Sequence, residues 1–151
     1  MAEAISIIAN NRRARREYEL LDRMEAGMAL QGTEVKALRE GKASLVDAFC
    51  RVDRGEVYLF SAHIAPYSHA SYENHDPLRP RKLLLHKREI LRIKKATEQK
   101  GFTVIPTKLY FRKGIAKVEI AIARGKHVRD KRATITDRDN KRRIDRMLKQ
   151  Y

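Results

Sequence analysis

The chain has very little cysteine. Cys50 stands alone among 151 residues, so an intrachain disulfide and a cysteine-based zinc site are both excluded. Long hydrophobic runs are also missing. The uninterrupted apolar stretches are only a few residues, such as Leu83-Leu84-Leu85, far short of the roughly 20 residues that span a bilayer. The first residues, Met-Ala-Glu-Ala-Ile-Ser-Ile-Ile-Ala, have neither a basic lead nor a long apolar stretch, so no secretory signal is expected and a cytoplasmic protein is. The seven glycines are scattered, and none lies in a phosphate-binding loop frame or a nucleophile elbow. His69, His75 and Asp76 share one stretch, but metal sites usually draw tighter spacings from more than one segment. Cys50 in a strand-like run reads as a small core hydrophobe before it reads as a nucleophile. No enzyme, metal or cofactor is expected.

Acidic residues are scarce relative to basic ones. Thirty-four Lys and Arg face 19 Asp and Glu, a net +15 with an isoelectric point near 10.2. Such an excess repels itself unless a polyanion neutralises it. Without a membrane-seeking segment, nucleic acid is the favoured polyanion. Hydrophobic residues make up 42% of the chain, enough for a real core.

Residues 1–9 read as a flexible apolar lead, and Asn10–Arg16 as a basic arm with four arginines in seven positions. A strand begins at Tyr18 and continues through Glu25–Leu30, with a kink expected at Gly27. Thr33 is a plausible N-cap for a two-turn helix ending at Gly41. Phe49–Val52, Asp53-Arg54-Gly55 and Val57–Phe60 form a hairpin signature. A long polar loop covers Ala65–Arg81, and a helix is expected over Leu83–Lys100. Two strands, Phe102–Phe111 and Ile115–Ile122, close the pattern, the second with Val118, Ile120 and Ile122 on one face. The expected fold is mainly β with flanking helices: an oligonucleotide-binding-like antiparallel barrel over residues 10–125.

After Gly125 the composition changes. Residues 126–151 hold ten Lys and Arg against four Asp. Ile144, Met147, Leu148 and Tyr151 fall on one helical stripe. A tail this charged is expected to be disordered when free and helical when bound. As a helix from Arg129 it would reach roughly 35 Å.

No helix-turn-helix pair is evident, which favours folded RNA over the DNA major groove. Tyr58, Tyr67, Tyr72, Tyr110 and Phe111 are candidates for base stacking, although most of them should be core. Glu25 could order a nearby arginine or could be a plain surface carboxylate.

Four ordered blocks carry a resemblance over about Asn11 to Leu148. They are Asn11-Arg12-Arg13-Ala14-Arg15 with Glu17-Tyr18, the run Glu25 to Lys36, the run Arg81 to His86, and Ala123-Arg124-Gly125-Lys126 with Asp130-Lys131-Arg132. The chain resembles the SmpB family, the SsrA-binding or small protein B family of bacterial trans-translation. The resemblance implies a barrel that binds the tRNA-like domain of tmRNA, an RNA without an anticodon arm, and takes the place of that arm. The pair then enters the A site of a stalled ribosome, with the protein's tail in the decoding centre and the empty mRNA channel. A degradation tag results, and the ribosome does the bond chemistry.

Carried onto this chain, the resemblance implies a tmRNA surface of Asn11, Arg13, Arg15, Glu25, Lys82, Leu84 and His86. It implies a ribosome-facing tail using Gly125, Lys126, Arg129, Lys131, Arg132, Met147 and Leu148. Gly125 would permit a sharp exit from the last strand. The family usually has His or Tyr before Asp-Lys-Arg; here Arg129 stands there, with His127 close by, and Asn140 stands near a usual mid-tail aromatic. Elongation factor Tu would be an indirect partner through the charged tmRNA, and the protein would act as a monomer. A ribosomal protein or another barrel-type translation factor is the alternative, which explains the charge but not the four blocks.

Overall fold

The structure is a computed structural model and describes residues 5–69 and 74–125. Nine strands and three helices occur in these residues, in the order β1 Ile5–Asn10, α1 Arg12–Glu17, β2 Tyr18–Met28, α2 Gly32–Arg39, β3 Ala43–Ser44, β4 Phe49–Asp53, β5 Glu56–Phe60, β6 His63–Ile64, β7 Arg81–Leu84, α3 Lys87–Thr97, β8 Phe102–Arg112 and β9 Ile115–Gly125. The fold is mainly β with flanking helices. Strands β8, β4, β5, β7, β2 and β9 pair in that order, and β9 pairs back onto β8. All six pairings are antiparallel, so the sheet closes on itself as a barrel. Strand β1 pairs only with β8 and lies outside the ring.

Alternation decides the inside. In β9, Val118, Ile120 and Ile122 point into the core, as their period-2 spacing requires. Met24, Ala26 and Met28 do the same from β2, and Cys50, Val57, Leu59 and Leu83 from the neighbouring strands. Burial pushes the Cys50 thiol far up, which leaves it a packed hydrophobe and a poor nucleophile. Helix α3 lays Ile90, Ile93 and Ala96 on the barrel. Arg54-Gly55 and Lys113-Gly114 both have positive φ at the centres of two-residue hairpin turns, which match the twist of the strands they join.

The structure departs from the sequence expectations at several points. Ile5–Asn10 is an edge strand, where a flexible lead was expected. The basic stretch after it is helix α1, with Asn11 as its cap. Strand β2 runs unbroken through Gly27, with its register irregularity at Leu20–Asp22. Gly27 is needed for another reason: a Cβ there would stand 3.3 Å from the Leu84 Cβ, so the absence of a side chain lets β7 approach. Arg81–Leu84 is a strand, and the expected helix starts only at Lys87, because Leu83 and Arg81 take inward register positions opposite Val57 and Leu59. The N-cap of α2 is Gln31, whose amide donates to the Glu34 carboxylate at 2.8 Å.

Thr33 serves elsewhere. It lies in the first turn of α2, with its hydroxyl 2.9 Å from Nδ1 of the buried His75. Nε2 of His75 lies 2.8 Å from the Ile64 carbonyl, which can only accept. Nε2 of His75 therefore donates to that carbonyl, and the Nδ1–Thr33 hydrogen bond pins the long loop to α2. Burial and these two contacts give the histidine a structural task.

The buried charges lie beside it. Glu34 and Arg81 are both fully buried and joined at 2.5 Å, Nε to Oε2. Arg79 donates to the other carboxylate oxygen at 2.6 Å. Arg81 also donates to the carbonyls of Ala62 at 2.7 Å and Pro77 at 3.2 Å. Burial pushes the Glu34 carboxyl up, but hydrogen bonds from Arg79, the Gln31 amide and Arg81 outweigh it and hold the group below the usual carboxylate range.

Two outcomes are expected. Arg81→Met leaves the Glu34 carboxylate without its fully buried partner and costs about 3–5 kcal/mol in a urea titration. Glu34 stabilises the fold above the ordinary carboxylate range, and that contribution disappears as the pH falls through its lowered value. The urea midpoint of the wild type should therefore drop on acidification below about pH 4, and Glu34→Gln, weaker throughout, should show a flatter dependence.

Candidate nucleic-acid interface

The basic block at the N-terminus is organised by one buried amide. Asn11 is 3% exposed. Its Nδ2 donates to the carbonyls of Leu45 at 3.1 Å and Pro106 at 2.9 Å, and its Oδ1 accepts from the Ala14 amide at 3.2 Å. Its own amide donates to the Thr107 carbonyl at 2.8 Å. Helix α1 is thereby tied to both β8 and the segment before β4, and Ala14 packs on Ile105 and Ala123. The expectation that Asn11 is a surface contact needs correction, because its side chain is enclosed by protein. What it does is fix α1 so that Arg12, Arg13, Arg15 and Arg16 project outward.

Arg13 donates to Glu17 at 2.9 Å and to Asp47 at 3.3 Å. The Glu17 hydrogen bond first, then the charges of Glu17 and Asp47, hold its guanidinium more firmly charged. These are exposed pairs worth little to stability, but they aim the guanidinium. Beneath them lies a cleft of about 320 Å³ walled by Arg13, Tyr18, Val46, Asp47, Phe49 and Thr103, among others.

Glu25 resolves in favour of the ordering role. Its carboxylate accepts from the Tyr110 hydroxyl and pairs with Arg112 at 2.7 Å. Burial, and then the Glu25 hydrogen bond, push the Tyr110 phenol up, so it stays a donor. Tyr110 is 2% exposed and is not a stacking surface. Directly opposite Glu25 in the β2–β9 register, Glu119 gathers Arg23 at 3.6 Å, Lys108 at 3.4 Å and the Thr107 hydroxyl at 3.0 Å. The few acids on this side of the barrel thus act as clamps for cations.

Lys82 and Leu84 alternate with the buried Arg81 and Leu83, so both face outward from β7. Leu84 is 54% exposed, which is unusual for a leucine on a barrel wall. With Glu56, Leu85 and His86 they line an open cleft of about 370 Å³, and Lys82 lies 3.8 Å from Glu56. His86 caps α3, and its amide donates to Glu89 at 3.0 Å.

Gly125 continues β9 opposite Tyr18, and its φ lies outside the left-handed region. The exit expected after Gly125 falls outside the described residues. Lys126, Arg129, Lys131, Arg132, Met147 and Leu148, with the stacking candidate Tyr72, lie outside the described residues. Tyr67 stacks edge-on to His69 with its ring 5.5 Å from the Lys36 ammonium, and Phe111 packs against the core. Among the described residues no cluster of three or more His, Cys, Asp and Glu could hold a metal, and no helix is long and apolar enough to cross a membrane. Sequence reasoning missed Phe49, Arg51 and Phe60, which share the outer face with Tyr58 and Lys82. The alternation within 49–53 and 56–60 was the signal that could have found them.

Asn11→Ala should lower stability by about 2–4 kcal/mol, because it removes a helix cap and strands two buried carbonyls. Arg12→Ala, on the exposed side of the same helix, should stay within about 0.5 kcal/mol. Paired urea titrations separate the two.

Residues 8–150 match the family model described as SmpB protein. The SsrA-binding protein of Pelotomaculum thermopropionicum is 52% identical over 147 residues, covering 97% of this chain and 96% of that one. The SsrA-binding protein of Syntrophobacter fumaroxidans is 51% identical over 98% of this chain and 92% of its own length. Among solved structures, a chain from "tmRNA-SmpB: a journey to the center of the bacterial ribosome" is 50% identical, with a TM-score of 0.67 over 83% of this chain and 92% of that chain. With the family model spanning nearly its whole length, this chain belongs to the SmpB protein family.

Proposed function

We propose that this protein is the tmRNA-binding adaptor of trans-translation. It binds the tRNA-like domain of tmRNA, stands in for the missing anticodon arm and accompanies the RNA to stalled ribosomes. The observation that carries this reading is the near full-length match to a family whose solved representative is named with tmRNA and the bacterial ribosome. The surface chemistry agrees. Arginines on α1 and Lys82 on β7 are suited to phosphate oxygens, and phosphate contacts position an RNA without reading its sequence.

In this proposal Arg13, Arg15, Lys82, Leu84 and His86 meet the RNA directly. Asn11 and Glu25 act through others, Asn11 by seating α1 and Glu25 by holding Arg112 and Tyr110. Residues 126–151 form a separate basic tail for the decoding centre and mRNA channel, with Gly125, Lys126, Arg129, Lys131 and Arg132 at its start and Met147 and Leu148 near its end. The protein contributes binding and shape and makes or breaks no bond. It works in the cytoplasm as a monomer, and elongation factor Tu meets it only through the charged tmRNA.

Reversing Arg13, Arg15 and Lys82 together to Glu should weaken tmRNA binding roughly 100-fold at moderate salt and flatten the salt dependence by about two units. An unchanged affinity would remove this surface from consideration. Deleting residues 130–151 should leave tmRNA binding and the thermal melt intact while abolishing tagging on stalled ribosomes. A truncated protein that no longer shifts tmRNA in a gel would show that the tail, and not the barrel, supplies the affinity.

A further inference from the structure

We propose that the outer face of β4, β5 and β7 is a stacking platform for unpaired bases, with Phe49, Phe60 and Tyr58 as its rings and Arg51 and Lys82 as its phosphate-facing cations. The inference rests on the RNA-binding reading above and names the part of the RNA that this face takes.

The register builds the row. Phe49 faces Phe60 across β4 and β5, and their rings stack at 5.5 Å with an interplanar angle of 15°. Tyr58 stands two residues along β5 on the same face, 6.5 Å from Phe60. Arg51 lies opposite Tyr58 on one side, and Lys82 opposite it on the other. The inward positions between them, Cys50, Val57, Leu59 and Leu83, are all core, so the three rings are not needed to fill the barrel. Phe49 is left 36% exposed.

Phe49 is a wall of the cleft beneath Arg13, and Lys82 is a wall of the cleft beside Leu84 and His86. The rings lie on the sheet face between the two clefts, one holding Arg13 beside Glu17 and Asp47 and the other Lys82 beside Glu56. Aromatic rings flanked by cations on a sheet face suit unpaired nucleotides, because every base offers a π face and every step offers a phosphate. A protein partner would call for a contiguous apolar patch, and here Arg51 and Lys82 bound the apolar surface on either side of Tyr58.

The test uses the full chain and two RNAs: the tRNA-like domain of tmRNA, and an unstructured oligoribonucleotide of about 12 nucleotides. Phe49→Leu and Tyr58→Leu should each weaken both complexes about tenfold, with the salt dependence unchanged. Arg51→Ala should instead reduce the salt slope by about 0.7–0.9. Ile115→Ala, an exposed apolar change on the far hairpin, is the control and should bind as the wild type does. 2-Aminopurine placed at unpaired positions of the tRNA-like domain should lose fluorescence on binding the wild type and lose less with Phe49→Leu. Thermal melts confirm that the leucine variants remain folded. The proposal is overturned if the leucine variants bind both RNAs as the wild type does, or if the aminopurine signal is the same for both proteins. If the wild type binds the oligoribonucleotide in a ring-dependent manner but fails to bind the tRNA-like domain, the platform stands and the adaptor role falls.

Discussion

The ion pair between Glu34 and Arg81 is the constraint on which the rest of the described structure depends. Two opposite charges with no exposure at all are tolerable only because each polar atom finds a partner. Those partners come from distant parts of the chain: α2 supplies the acid, β7 the base, and Ala62 and Pro77 the carbonyls. One guanidinium therefore sets where the helix sits, where the long loop returns and how β7 enters the barrel. His75 repeats the same stitch from the loop side, through Thr33 and the Ile64 carbonyl. Because Arg81 points inward, alternation forces Lys82 and Leu84 outward. The outward-facing cleft is a consequence of the inward-facing charge.

The basic arm is built by the same logic with a neutral group. A six-residue helix is too short to be stable alone. Asn11 makes it part of the barrel by bonding two carbonyls from separate segments and capping the first turn. Four arginines are then carried on a seated element instead of a loose one, which lowers the ordering cost when a polyanion binds. The scarce acids complete the arrangement: Glu17 and Asp47 aim Arg13, and Glu25 holds Arg112. A strongly cationic protein uses its few carboxylates to direct its cations.

Much of the fold was legible in the chain. The two hairpins followed from Arg54-Gly55 and Lys113-Gly114 between alternating runs, and the inward set of β9 from its spacing. The helical face of α3 was readable, but its start was not. Leu83-Leu84-Leu85 suits a helix or a strand equally, and only pairing with β5 and β2 separates Arg81–Leu84 from the helix. Gly27 looked like a kink because a glycine in a strand often is one; its real partner, Leu84, is 57 residues further along the chain. Asn11 was recognisable as a site residue by resemblance, yet nothing local revealed that its amide turns inward.

By itself the sequence determined the class of partner, the mainly β architecture and the membership of ordered blocks in a known family. Charge balance, periodicity and motif order are properties of the chain, and they survive without coordinates. Tertiary structure alone decided which cations stand on one surface, that Glu34 and Arg81 meet in the core, that His75 is enclosed, and that three aromatic rings line up between two clefts. Those facts depend on the register between strands far apart in the chain, and a one-residue slip would turn each side chain to the opposite face. Local composition carries no record of that register, because it is set when the barrel closes.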